Sequence, residues 1–72
     1  MVAIEIGKEF SAAVAIGLSS MAAGYAIAGT GAAAAGAVAE KPEVSGKVLL
    51  FVALAEAIAI YGLVVSLMIL FQ

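Results

Sequence analysis

Several residue types on which protein chemistry commonly depends are missing from this chain. The sequence contains no cysteine, no histidine and no tryptophan, and its three basic residues are all lysines, at positions 8, 41 and 47. Without cysteine or histidine there can be no disulfide, no thiolate chemistry, no conventional zinc site and no histidine-based acid–base catalysis. Because arginine is also absent, any guanidinium that a carboxylate needs has to come from another protein.

Charge is scarce and apolar character is high throughout the 72 residues. Charged side chains make up 11% of the chain, with a formal net charge of −2, whereas hydrophobic residues make up 67%. Soluble domains average about 45–50% apolar residues, and so few charges cannot cover that much apolar surface. The composition therefore indicates one domain at most, with lipid as its solvent. It excludes a nucleic-acid-binding surface, which requires a positively charged face.

Two long apolar runs, separated by a short polar segment, define the organisation of the chain. Residues 10–39 carry no charged side chain, and residues 48–71 carry only Glu56. Each run exceeds the roughly 20 residues that a helix needs to cross a bilayer core, and two segments cannot close a barrel. Pro42, between the runs, ends the first helix. We predict an all-α membrane protein, a single two-transmembrane-helix hairpin over 1–72 with helix 1 at about 2–40, a polar loop at about 41–46 and helix 2 at about 47–72.

The flanks of the first run distinguish a membrane helix from a removable leader. Ala37-Val38-Ala39 resembles a small-residue cleavage site, but the apolar run before it is far longer than the roughly 7–15 residues of a leader, and the segment ahead of that run is not positively charged. We therefore expect a permanent membrane helix, with residues 1–9 at the interface. Two of the three lysines lie in the loop, so the positive-inside rule favours a cytoplasmic loop and places both termini on the opposite side of the cell membrane.

Small residues follow one face of each predicted helix. On helix 1 they recur at three- and four-residue steps, at Gly17, Ser20, Gly24, Ala28, Gly31 and Ala35. On helix 2 they are Ala55, Ala59, Gly62 and Ser66. Because packing drives helix association in lipid, we predict helix packing at Gly17, Gly24, Ala28, Gly31 and Gly62. A slim helix beside a bulkier one makes a wedge, and wedges of identical subunits close into a homo-oligomeric ring.

Glu56 is the one charged residue in the second run, and a functional interpretation has to account for it. An ionised carboxylate in lipid is costly, so we expect the neutral form in lipid and the ionised form beside a positive partner or water. Such a group is suited to carrying an ion. For a hairpin that turns near Glu43, Thr30 and Gly31 are level with Glu56 and offer a hydroxyl and room. The simpler alternatives are a protonated Glu56 that only bonds a neighbouring helix, and a Thr30 hydroxyl bonded to its own helix.

Three features together resemble the proteolipid subunit of rotary ATP synthases and ATPases. They are the segment Ala55-Glu56-Ala57-Ile58-Ala59-Ile60-Tyr61-Gly62-Leu63-Val64-Val65, the charged loop with Lys41-Pro42, and the glycine- and alanine-rich first helix. The second helix is most similar to archaeal and vacuolar-type proteolipids, here in a two-helix form. The resemblance covers nearly the whole chain.

The resemblance implies a ring of identical subunits in membrane lipid, with the first helices inside. Glu56 would bind the ion, with Tyr61 at the family position that supports the carboxylate and with Thr30 and Gly31 contributing on the depth argument above. A stator subunit would supply an arginine. Central stalk subunits would contact the loop residues Glu40, Lys41, Pro42 and Glu43. The implied function is ion translocation coupled to rotation and to ATP turnover elsewhere, with no catalytic residue and no cofactor in this chain.

Two departures from the family pattern concern the loop and the transported ion. The loop reads Glu40-Lys41-Pro42 where the family often has Arg-Gln-Pro. Sodium-carrying members have a glutamine on the first helix and hydroxyls near the glutamate, whereas neither span here contains glutamine and Ala57 follows Glu56. A carboxyl with few oxygen partners suits H⁺ better than a cation that needs several oxygens. We therefore expect H⁺, with Na⁺ at Glu56 as the alternative and no other metal.

A competing interpretation keeps the hairpin and removes the carrier. In it the chain is a small structural membrane hairpin or a holin-like pore former, and Glu56 only joins helices. Ring size and coupled transport separate the two interpretations.

Overall fold

The computed structural model describes residues 7–72 and shows two antiparallel helices joined by a tight turn. Helix α1 spans Lys8–Glu40, a short 3₁₀ helix spans Pro42–Val44, and helix α2 spans Ser45–Leu70. The predicted hairpin of two helices is confirmed. The predicted start of helix 1 near residue 2, and most of the interfacial segment 1–9, fall outside the described residues.

Both helices are long and apolar enough to cross a membrane. With 33 residues, α1 is about 50 Å long at 1.5 Å per residue, which exceeds the ~30 Å of a hydrocarbon core. The described residues occupy 60 × 19 × 8 Å. A rod of this shape cannot enclose a core of its own, and large apolar side chains such as Phe10, Met21 and Phe51 are exposed along it.

The turn is shorter than the loop that the sequence predicted at about 41–46. Only Lys41 has an extended backbone between the helices, with φ −138° and ψ 91°, and its N–H donates to the Ala37 carbonyl oxygen at 2.8 Å. Pro42 then begins the 3₁₀ helix, because its fixed φ suits a first helical position where no N–H donor is needed. α2 follows at Ser45 without a gap, so the second arm begins near residue 42 rather than 47.

A seam of mostly small side chains holds the two helices together. Its most buried members are Ala12 and Ala23 on α1 and Ala55, Gly62 and Ser66 on α2. Half-buried residues continue the seam at the same three- and four-residue steps, namely Ala15, Ser19, Ala26, Thr30, Ala34, Val48, Val52 and Ala59. Because these side chains are short, the backbones can approach closely, which is how membrane helices gain packing energy without a hydrophobic drive.

The helices come into closest contact at Gly62. A Cβ atom built on Gly62 would overlap the Ser19 side chain and lie 3.3 Å from the Ala15 carbonyl oxygen. One turn further along α2, Ser66 Oγ donates a buried hydrogen bond to the Ala12 carbonyl oxygen at 2.7 Å. The contact between α1 and α2 in this half of the hairpin therefore includes the backbone of both helices.

Replacing Gly62 by alanine is expected to destabilise the hairpin by about 1–3 kcal/mol, because the new methyl group has to displace Ser19 or the α1 backbone. The free energy of unfolding in mixed detergent micelles, followed by helical circular dichroism, measures the effect. Gly46→Ala is the matched control on the same helix. A Cβ there meets nothing within 4 Å, so the change should be neutral or stabilising by up to about 1 kcal/mol. Equal unfolding free energies for the two variants would contradict the close contact.

Candidate functional site

Glu56 lies near the middle of α2 with its side chain exposed on the surface of the hairpin. The large side chains nearest to it in sequence are apolar and also exposed, Leu54 by 59% and Ile58 by 42%. The carboxyl group therefore stands on an apolar surface that faces lipid or another protein. An ionisable group in such a place is by default a functional candidate.

Glu56 lies on one flank of the hairpin, beside the seam. Its neighbour Ala55 is buried in the seam, and one further residue turns a helical side chain by about 100°. Leu63 follows Glu56 by two turns and so shares this flank. Leu63 lines a groove of about 420 Å³ between the helices, and Glu9 of α1 lines the same groove. We call this side of the hairpin, on both helices, the carboxyl flank.

Contacts along the seam fix the depth of Glu56 relative to α1. Ser66 is bonded to the Ala12 carbonyl, and the helices run antiparallel. Ala55 precedes Ser66 by as many residues as Ala23 follows Ala12, and both alanines are buried, so we infer that they face each other. Glu56, next to Ala55, is therefore level with residues 22–25 of α1.

Thr30 and Gly31 are not at this depth, and the prediction that placed them there is wrong. They lie nearer the turn by about 10 Å along the helix axis, at 1.5 Å per residue. The Thr30 hydroxyl donates to the Ala26 carbonyl oxygen at 2.8 Å, which is the simpler alternative for a helical threonine. The error comes from the turn, since the prediction centred the hairpin near Glu43, whereas the second arm already begins at Pro42.

The glycines predicted to pack on α1 lie on the carboxyl flank. Gly24 follows buried Ala23 as Glu56 follows Ala55, and in antiparallel helices both steps turn toward the same side. Among the residues that the structure describes, a Cβ on Gly17, Gly24 or Gly31 would meet nothing within 4 Å. A single copy of the hairpin therefore does not require glycine at these positions. Packing at Gly17, Gly24, Ala28 and Gly31 concerns a second copy and stays a prediction, whereas Gly62 packs inside the hairpin.

Tyr61 lies on the opposite flank from Glu56. Five residues along a helix turn the side chain by about 140°, and the Tyr61 side chain is 72% exposed. The two side chains of one chain therefore point to different sides of α2. A contact between a Tyr61 hydroxyl and a Glu56 carboxyl requires two copies side by side, and it stays a prediction.

The turn presents its four predicted contact residues to the surroundings. Glu40, Lys41, Pro42 and Glu43 are all exposed at the closed end of the hairpin. They place charges of both signs on a short, well-defined turn. Their contact with another protein stays a prediction.

Two hydrogen bonds between the helices were not foreseen from the sequence. Besides the Ser66 bond, Lys8 Nζ donates to the Gln72 carbonyl oxygen at 2.7 Å, at the open end of the hairpin. Lys8 brings a positive charge to the carboxyl end of α2, where it complements the carbonyls, but no local signal links it to Gln72, which is 64 residues away in sequence. Within residues 7–72, no group of three or more histidine, cysteine, aspartate or glutamate residues is placed to hold a metal ion.

Comparison with known proteins finds relatives over most of the chain. The sequence profile of the ATP synthase C-subunit family matches residues 10–69. The K subunit of the A-type ATP synthase of Sulfolobus acidocaldarius is 41% identical over 66 residues, which cover 92% of this chain and 65% of that protein. The chain thus spans slightly less than two thirds of that relative.

Cyanobacterial proteins are similar at comparable identity. The ATP synthase c-subunit of Synechococcus sp. (strain JA-2-3B'a(2-13)) is 45% identical over 65 residues, 85% of this chain and 80% of that protein. The ATP synthase c-subunit of Thermosynechococcus vestitus is 42% identical over 72 residues, 94% of this chain and 88% of that protein. No solved structure gives a significant match to the chain.

Thr30→Ala is expected to leave the reaction of Glu56 with a hydrophobic carbodiimide unchanged within about twofold. The Thr30 hydroxyl is bonded within its own helix and lies away from the depth of the carboxyl group. Mass spectrometry of the labelled chain measures the rate, and Glu56→Gln, which has no acid to react, gives the background. A severalfold change in the labelling rate of Glu56 in the Thr30→Ala variant would show that Thr30 does contribute to the site.

Proposed function

The chain belongs to the ATP synthase C-subunit family, and on that premise we propose that it carries H⁺ on the Glu56 carboxyl in the rotor ring of a rotary ATP synthase. The resemblance drawn from the second helix and the loop agrees with this membership. One observation supports Glu56 as the carrier. Its carboxyl group is exposed near the middle of α2, on the flank where, among residues 7–72, the glycines of α1 have room for an added Cβ and so leave space for a neighbouring copy.

The proposed cycle of proton loading and release follows from the chemistry of a carboxyl group. In lipid the protonated acid is the cheaper form, so a loaded Glu56 can move with the ring through the bilayer. Beside a positive group the carboxylate is favoured and the proton leaves. The chain contains no arginine, so we assign that positive group to a stator subunit. Each proton that crosses the whole membrane gains about 2.3 kcal/mol per 100 mV, which is the work available for rotation.

We further propose that Tyr61 of an adjacent copy meets Glu56. The two residues lie on opposite flanks of α2, and cyclic symmetry brings opposite flanks of neighbouring copies together. Side chains on a helix lean toward its amino end. For Tyr61 this direction is toward the turn and therefore toward the depth of Glu56. The phenolic hydroxyl could then donate a hydrogen bond to the carboxylate of the neighbour.

H⁺ is favoured over Na⁺ by the oxygen atoms available near Glu56. Na⁺, like other hard cations, needs several oxygen ligands. The Thr30 hydroxyl is occupied by the Ala26 carbonyl and lies about 10 Å away along the axis. One carboxyl group and one tyrosine hydroxyl are enough to bind a proton, but they provide too few oxygen ligands for a cation.

The proposed orientation places the turn in the cytoplasm and both ends of the chain on the other side of the cell membrane. Two lysines, Lys41 and Lys47, lie at the turn end, against Lys8 at the open end. The exposed residues of the turn, Glu40 to Glu43, would then face the central stalk and the ATP-processing head. Their mixed charges provide an electrostatic contact for those subunits.

Glu56→Gln is expected to abolish proton transport coupled to ATP turnover, because an amide cannot release a proton to the stator. ATP-driven acidification in vesicles that contain the assembled enzyme measures the loss. Glu56→Asp is the control, since it keeps an acid on a side chain one methylene shorter and should retain part of the activity. Coupled transport at the parental rate in the glutamine variant would refute Glu56 as the carrier.

Sodium ions are expected to give no protection of Glu56 against carbodiimide at constant pH. A proton site has too few oxygens to hold Na⁺ in competition with water. The labelling rate is measured with NaCl against the same concentration of choline chloride, which matches the ionic strength. Slower labelling in NaCl alone would overturn the assignment of H⁺ and favour Na⁺.

A further inference from the structure

The register of α2 on α1 is held at the closed end by the short turn and in the open half by contacts across the seam. The seam residues of α1 between Ala12 and Ala26 are alanines apart from Ser19. A slide of α2 by one turn would bring a position with a Cβ, in place of Gly62, against Ser19, so the Gly62 contact opposes such a slide. Single buried polar residues also specify register in other helical pairs.

Ser66 is the buried hydroxyl that bonds across this seam. Ser19 donates to Ala15 and Thr30 donates to Ala26, each within its own helix. Ser66 instead donates to the Ala12 carbonyl oxygen of the facing helix at 2.7 Å, and its side chain is only 4% exposed. A slide of one turn would move the donor by about 5.4 Å and break the bond. In lipid no water is present to replace it.

We propose that Ser66 is a positioning residue for the ion carrier, because its hydrogen bond to Ala12, together with the Gly62 contact, sets the register of α2 on α1 in the open half of the hairpin and thereby the depth of Glu56. The two residues lie on one continuous helix, so Glu56 moves with any slide of Ser66. This inference rests on the proposed function for its consequence in transport. The register itself does not depend on which ion is carried, or on whether one is.

Disulfide formation in the assembled enzyme measures the register. The chain has no cysteine, so the pair Ala23→Cys with Ala55→Cys reports the observed register with no other thiol in this chain. The pair Ala26→Cys with Ala55→Cys reports a slide of one turn. In Ser66→Ala we expect the first pair to form about threefold more slowly, the typical effect of one hydrogen bond between membrane helices. The second pair should form faster, and carbodiimide labelling of Glu56 should change in rate.

Ser19→Ala is the matched control, since it removes a hydroxyl of the same seam that bonds only within α1 and keeps the Cβ that packs on Gly62. It should leave both disulfide rates unchanged. Ser66→Thr keeps the hydroxyl and should preserve the parental pattern. If the alanine variant does not assemble, the threonine variant decides, because an assembled threonine variant with the shifted pattern would overturn the proposal.

Two other outcomes would also overturn the proposal. Unchanged disulfide rates in Ser66→Ala would show that the bond does not set the register. A shifted pattern with unchanged labelling and transport would show that the register does not position Glu56. Failure of the proposed function looks different, since Glu56→Gln would then keep coupled transport while the disulfide patterns stayed as expected.

Discussion

The two helices approach so closely at Gly62 that α2 has no room there for even a methyl group. This constraint follows from the solvent, because lipid offers no hydrophobic drive for helix association and leaves packing to supply it. Mostly short side chains along the seam satisfy it, and most of the large apolar side chains are left on the outside. The apolar exterior of the hairpin follows from this arrangement.

The hairpin could be predicted from the sequence because its signals are local and strong. Two apolar runs and a proline between them determine the helices and their order. The depth of Glu56 against α1 could not be predicted, since it depends on whether Pro42 ends the loop or begins the second arm. Pro42 begins a 3₁₀ helix. As a result, the residues of α1 that are level with Glu56 are 22–25 and not Thr30. The direction of the Ser66 bond was also out of reach, because helical hydroxyls usually bond within their own helix, as Thr30 does.

The hairpin divides its surface among three kinds of contact. The seam is satisfied within one chain, through Ala12, Ala23, Ala55 and Ser66. The carboxyl flank combines Glu56 with glycines at which an added Cβ would meet nothing within 4 Å in the described part of the chain. Large apolar side chains, most of them on α2, cover much of the remaining surface and suit lipid. A chain of 72 residues can thus act as one part of a membrane ring because each side has a different chemical character.

The turn at Lys41 has a mechanical consequence. A single extended residue joins α1 to the 3₁₀ helix, and the Lys41 N–H is tied back to Ala37 at 2.8 Å. So short a link keeps the two arms side by side at the closed end of the hairpin. A sideways force on Glu56 would reach the exposed turn, about 20–25 Å away at 1.5 Å per residue, with little elastic loss. Under the proposed function, most of the elastic compliance would then lie in the subunits that contact the turn.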